Sequence, residues 1–123
     1  MQIKILIIFA ACLWFKSQGP ANHCVFIFAD KTNNADLIRQ INILKADPNG
    51  TNSRNIIYKV VTYSANNAEH YKKWKVSNVP FTVILIGNDN GEKLRSHQPV
   101  SLAKIFELVD NTSRRREQGH HKL

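Results

Sequence analysis

The fold is decided by Cys24-Val25-Phe26-Ile27-Phe28-Ala29, the segment 35–46 that follows it, and Asn55-Ile56-Ile57-Tyr58-Lys59-Val60-Val61-Thr62-Tyr63. The first run is uncharged, aromatic and branched, and polar residues flank it, as in a strand buried on both faces. Asp30-Lys31-Thr32-Asn33-Asn34 is a polar loop ending in side chains suited to capping a helix. In the segment 35–46, Leu37, Ile41 and Leu44 share one face with Ile38 beside them. Arg39, Gln40 and Lys45 fall elsewhere, so the reading is an amphipathic helix with those three on its wet side. Asp47-Pro48-Asn49-Gly50 is read as a turn that ends it. The run 55–63 is rich in branched and aromatic residues and makes a second strand. Strand, helix and strand in that order form a βαβ unit with parallel strands.

Further along, Asn66-Asn67 precedes a shorter helix in which Ala68, Tyr71 and Trp74 recur every three residues, while Lys72, Lys73 and Lys75 stay in water. Val79-Pro80 leads into Phe81-Thr82-Val83-Ile84-Leu85-Ile86, a third strand. Asn88-Asp89-Asn90-Gly91 is a hairpin signal, since Asn and Gly accept positive φ readily. Glu92-Lys93-Leu94-Arg95 is the return strand, polar enough to sit at a sheet edge. Ser101 is the expected N-cap of a last helix, with Val100 and Ile105 as its staple and Leu102, Ile105, Phe106 and Val109 as its apolar stripe. From Asn111 the apolar pattern stops, and the segment 113–123 reads as a mobile basic tail.

The chain has 123 residues, with 43% hydrophobic and 21% charged side chains. That suits one globular domain and is too apolar for a disordered chain. Ahead of it, Met1-Gln2-Ile3-Lys4 is a basic lead and the residues 5–15 are an unbroken apolar run. Lys16-Ser17-Gln18-Gly19-Pro20-Ala21 is a small, polar exit. This is the layout of a secretory signal peptide, with cleavage expected after Ala21. The apolar run is shorter than the roughly 20 residues a membrane span needs. The expected organisation is a leader at 1–21, a domain at 22–112 and the tail at 113–123, in a secreted, extracellular protein without a membrane span. Asn49-Gly50-Thr51 and Asn111-Thr112-Ser113 match the glycan acceptor pattern at Asn49 and Asn111.

Of the two cysteines, Cys12 lies in the leader, which leaves Cys24 alone in the mature chain. One thiol forms no internal disulfide. Two states remain open: a buried, inert thiol in a monomer, or an intermolecular bridge in a dimer. The formal charge of +8 becomes +6 without the leader, 15 basic against 9 acidic residues. Arg114, Arg115, Arg116 and Lys122, with His120 and His121 beside them, are the candidate binding residues for acidic polymers. Lys72, Lys73 and Lys75 extend that basic surface. The histidines lack the spacing of a zinc site, Asp89 alone is far short of a calcium shell, and no nucleic-acid motif or cofactor loop is present. No metal, cofactor or nucleic acid is expected.

The order β-α-β-α-β-β-α, with Lys75-Val76-Ser77-Asn78-Val79-Pro80-Phe81-Thr82 and the turn Asn90-Gly91-Glu92, resembles the thioredoxin-like core. The resemblance implies a single α/β domain with a four-stranded mixed sheet flanked by helices. It also implies a cis Val79–Pro80 bond facing the site where thioredoxins carry two thiols. That site reads Ala29-Asp30-Lys31-Thr32-Asn33-Asn34-Ala35 here, without cysteine. Cys24 lies at the other end of its strand, about 15 Å away at the strand rise. The second half is more specific. Gly87-Asn88-Asp89-Asn90-Gly91-Glu92-Lys93-Leu94-Arg95-Ser96, Pro99-Val100, Ile105-Phe106-Glu107-Leu108-Val109-Asp110 and Arg114-Arg115-Arg116-Glu117 are similar to the DUDES-type domain of unknown function. That domain occurs in exported bacterial proteins and in animal matrix proteins such as equarin and the sushi-repeat-containing proteins. Where that group is expected to carry Gly, Asn90 stands. The implied function is a secreted, non-catalytic binding module for matrix or cell-surface components, either an extracellular protein or a glycosaminoglycan. Pro80 and the loop 30–34 would serve as a docking surface. The alternative is a thiol-dependent oxidoreductase or peroxiredoxin-like activity using Cys24.

Overall fold

The computed structural model describes residues 22–77 and 79–121, with side chains described through Thr112. The segment 1–21, expected to be a leader, with Cys12, and Lys122 at the other end, lie outside the described residues, as do the side chains of Arg114, Arg115 and Arg116.

Among the described residues, four strands and four helices follow one another as β1 (His23–Ala29), α1 (Ala35–Lys45), α2 (Pro48–Ser53), β2 (Ile56–Thr62), a 3-10 turn (Ala65–Asn67), α3 (Ala68–Lys73), β3 (Phe81–Ile86), β4 (Glu92–Ser96) and α4 (Leu102–His121). They make one α/β domain around a mixed sheet in the order β2-β1-β3-β4. β1 runs parallel to β2, with His23 opposite Ile56 and Ala29 opposite Thr62. It runs antiparallel to β3, with Cys24 opposite Ile86 and Ala29 opposite Phe81. β4 closes the other edge, where its polar composition belongs, and one extra residue at Lys93 breaks its register with β3.

All six residues of β3 are buried, because it is a central strand covered on both faces. The odd-numbered side chains Val25, Ile27 and Ala29 of β1 join Val83 and Leu85 of β3 in one cluster with Leu37 and Leu44 of α1 and with Ile105 and Val109 of α4. Phe28 and Ile84 point the other way, into a smaller cluster with Val61, Tyr71, Trp74 and Val76. Each fully buried aliphatic or aromatic side chain here is worth roughly 1.5–3 kcal/mol. Two faces thus take two unequal covers: α1 and α4 on one side, the single short helix α3 on the other.

Three readings change. Asp47-Pro48-Asn49-Gly50 does not simply end α1 but opens α2. Asp47 accepts from the Gly50 amide at 3.0 Å, and Pro48 fills the first turn, where its missing N–H costs nothing. Gln40 is fully buried rather than wet. The backbone of the last helix continues to His121 beyond the end of the apolar stripe, in keeping with the helix propensity of its Arg, Glu and Gln residues.

Candidate functional site

The carboxyl ends of the parallel strands β1 and β2 meet the start of α1 and the approach to β3, the position where open α/β sheets form their sites. The corner is built by Asn34. Its Oδ1 accepts from the amides of Asp36 (2.9 Å) and Leu37 (3.1 Å), which caps α1. Its Nδ2 donates to Asp30 Oδ1 at 2.9 Å and to the Pro80 carbonyl at 3.1 Å. The Asp30 amide donates to the same carbonyl at 2.9 Å. The loop 30–34 and Pro80 are therefore brought together as the sequence suggested, but they are locked onto each other. Two of the free amides of the helix terminus, a ready anion site in other folds, those of Asp36 and Leu37, are already taken by Asn34.

The expectation of a cis bond before Pro80 is corrected. No peptide bond among the described residues is cis, so Val79–Pro80 is trans. Trans is the intrinsically favoured form, and in it the Pro80 carbonyl already reaches both donors of the loop.

Behind the corner, the Tyr71 hydroxyl donates to the Ala29 carbonyl at 3.0 Å and lies 3.4 Å from that of Val61. Burial, the Asp30 carboxylate and Tyr63 together push its pKa from 10.0 to about 12. Tyr63 stands edge-on to Tyr71 with ring centroids 5.3 Å apart and is 59% exposed. Thr82, fully buried, meets His97 Nδ1 at 3.1 Å. None of these contacts brings a thiol to the corner. Cys24, half-buried, lies at the other end of β1 opposite Ile86 and Ile57.

A different surface collects charge. Arg54, Lys93, Arg95 and Lys104 each pair with a carboxylate, and Lys59 is buried. Lys72, Lys73 and Lys75 are exposed and make no ion pair among the described residues. The helix that carries two of them is held from three sides. Tyr71 anchors it to β1, Trp74 packs on Phe26 at 5.2 Å, and Arg95 donates to the carbonyls of Trp74 (2.7 Å) and Lys75 (3.2 Å). Its end is a Schellman motif: the Val76 amide bonds the Tyr71 carbonyl at 2.8 Å and the Lys75 amide that of Lys72 at 3.1 Å. Lys75 takes the left-handed position, at φ 54°.

The family described as a domain of unknown function (DUF4174) matches residues 21–118. The chain belongs to this family. The DUF4174 match takes in all four strands and the first three helices, so the corner and the lysine face both lie inside it. No curated protein and no solved structure matches the chain.

Elsewhere, an open groove of about 560 Å³ lies between the end of α1, α2 and the start of β2, lined by Leu44, Pro48, Thr51, Ile56 and Tyr58 among others. It is far along β2 from the corner. No group of three or more His, Cys, Asp or Glu side chains among the described residues is placed to hold a metal ion. No helix among them is long and apolar enough to cross a membrane. Asn49 is exposed on α2, whereas Asn111 is half-buried on α4. The sequence pointed to the loop and to the lysines. It gave no sign of Tyr63 and Tyr71 at the corner, because Tyr63 reaches it through the pairing of β2 with β1, where its amide donates to the Ala29 carbonyl at 2.9 Å, and Tyr71 through the packing of α3 against the sheet.

Proposed function

We propose that this is a secreted, non-catalytic binding module of thioredoxin-like architecture, of the DUDES type, that associates with extracellular matrix or cell-surface components. The observation that carries this reading is the corner itself. Where a dithiol exchanger needs an attacking thiol at a helix N-terminus, Asn34 occupies the cap and ties Asp30 to Pro80. The strand order β2-β1-β3-β4 supports the architecture. Support for export comes from the basic, apolar and small-residue zones of the segment 1–21. Arg114, Arg115, Arg116 and Lys122 add charge suited to acidic partners.

Two measurements test the reading. Expressed with its own leader in cultured animal cells, the protein is expected in the medium with its first residues removed. The purified protein is expected to leave insulin disulfides intact in the presence of a thiol reductant, at the uncatalysed rate. Retention inside the cell overturns the extracellular assignment. Insulin reduction that disappears in Cys24→Ser overturns the non-catalytic one.

A further inference from the structure

We propose that Lys72, Lys73 and Lys75 on and just after α3 form the principal binding face for a sulfated polysaccharide. This rests on the extracellular reading above and names the ligand class.

Three features carry it. The three lysines fall within four consecutive residues, Lys72 and Lys73 at the end of α3 and Lys75 just past its cap. Their Cα atoms can be no more than about 11 Å apart, three steps of 3.8 Å, so one flexible polyanion can meet all three. Arg54, Lys93, Arg95 and Lys104 are held by carboxylates. Lys31, Arg39 and Lys45 are exposed without an ion pair among the described residues as well, but each lies six or more positions from the next, whereas Lys72, Lys73 and Lys75 cluster and outnumber the one acid of α3, Glu69.

The backbone beneath it is fixed. Tyr71, Trp74 and Arg95 tie α3 and its exit to the sheet, so little order remains to be gained on binding. Lys75 also stands where the chain turns left-handed, a position that favours glycine and penalises any Cβ. Its side chain is exposed, so packing does not account for a lysine there. The charge does. Strain of this kind collects at functional positions.

The surroundings select the ligand class. Stacking of nucleic-acid bases needs free aromatic faces. Trp74 is packed on Phe26, however, and Tyr71 is buried. Insertion into a bilayer needs an apolar lip beside the cations. The exposed large hydrophobics among the described residues are Ile38 on α1 and Tyr63, which follows β2 and stands edge-on to Tyr71 of α3; one tyrosine ring is neither an apolar lip nor a row of stacking platforms. Closely spaced point charges on solvated stems suit sulfate groups on a flexible chain.

The test uses the purified full chain on immobilised heparin across a salt gradient, with hyaluronan, a single-stranded oligonucleotide and phosphatidylserine vesicles as comparison probes. The wild type is expected to elute from heparin above physiological salt and to bind the other three more weakly. The variant K72Q/K73Q/K75Q is expected to elute below physiological salt. Its slope of log affinity against log salt should fall by roughly two to three units, by the counterion-release arithmetic of linear polyanions. R114Q/R115Q/R116Q is expected to retain most of the binding. A single variant, Lys75→Gly, removes both strain and charge, so its unfolding midpoint should rise while its elution salt falls. A purely structural role cannot move the two in opposite directions. The proposal is overturned if the triple lysine variant co-elutes with wild type, if binding disappears with the arginines alone, or if the oligonucleotide or vesicles bind best. It is also overturned if a wild type that reaches the medium is not retained at all. Retention inside cells with lysine-dependent heparin binding intact would instead reject the extracellular reading alone.

Discussion

The Gln40 side chain grips the backbone of Val100 at both ends, donating from Nε2 to its carbonyl at 3.0 Å and accepting from its amide at 2.7 Å at Oε1. Both residues are buried. The pair joins the middle of α1 to the residue before the N-cap of α4, so it sets where the last helix lands on the sheet. Gln40→Leu keeps the volume but leaves a buried N–H and C=O without partners, at about 1–3 kcal/mol each. A loss of roughly 2–5 kcal/mol in urea unfolding is expected, far above that for Arg39→Leu on the exposed side. Equal small losses for the two would show that the clamp is dispensable.

This clamp also marks where sequence reading stops. β3 was legible to the residue, because a strand covered on both faces must be continuously apolar. The caps of α1 and α4 were legible too, since Asn34 and Ser101 are local signals; the Lys104 amide donates to Ser101 Oγ at 3.2 Å. Gln40 was misread: its spacing, three residues after Leu37 and four before Leu44, puts it on the apolar face, but its polarity argued against burial and its partner lies 60 residues away. α2 was missed because Asp-Pro-Asn-Gly serves equally as a turn and as a capped helix start. At the candidate site the loop was legible as lacking thiols. Its closure through Asn34 onto Pro80 depends on how β1 and β3 pair, which no local pattern encodes.

Gly50 is the next test. A Cβ there would sit 2.8 Å from the Phe106 ring and collide with the capping Asp47 carboxylate. The ring cannot yield freely, since the Arg54 guanidinium lies 3.9 Å from its centre and is fixed by Asp110 at 3.0 and 3.3 Å. Gly50→Ala is therefore expected to destabilise by about 1–3 kcal/mol despite its gain in helix propensity. A stabilised variant would mean that α2 and α4 are not packed as described.

Arg95 and Glu92 separate capping from charge. The Glu92 carboxyl is held below its ordinary 4.5, chiefly by the hydrogen bond from Arg95, and that of Asp89 below its ordinary 3.8, chiefly by the one from Lys93. A depressed value means that the native state binds the proton less tightly than the unfolded chain. The contribution is thus complete above the unfolded value and lost as pH falls through the native one. Glu92→Gln should flatten the fall in stability below pH 4.5 yet change little at neutral pH, because the pair is exposed. Arg95→Lys keeps the charge but loses the fork onto the Trp74 and Lys75 carbonyls, so about 1–2 kcal/mol should vanish at neutral pH. If Arg95→Lys matches wild type in thermal unfolding, the fork does not hold the end of α3.

Tyr71 gives the same test at alkaline pH with the opposite sign. Its phenol is pushed up to about 12 by burial first, then by Asp30 and Tyr63, so the native state holds its proton more tightly than the unfolded chain. The resulting stability is fully present below pH 10 and disappears as pH rises through 12. Phenolate absorbance should therefore show a step near 12 that is absent in Tyr71→Phe. The variant leaves the Ala29 carbonyl without its hydroxyl donor and should lose about 1 kcal/mol at neutral pH. It should then lose less than wild type between pH 10 and 12, so the two unfolding curves converge. An alkaline slope unchanged in Tyr71→Phe would place the responsible group elsewhere and detach α3 from the strand end it is argued to hold.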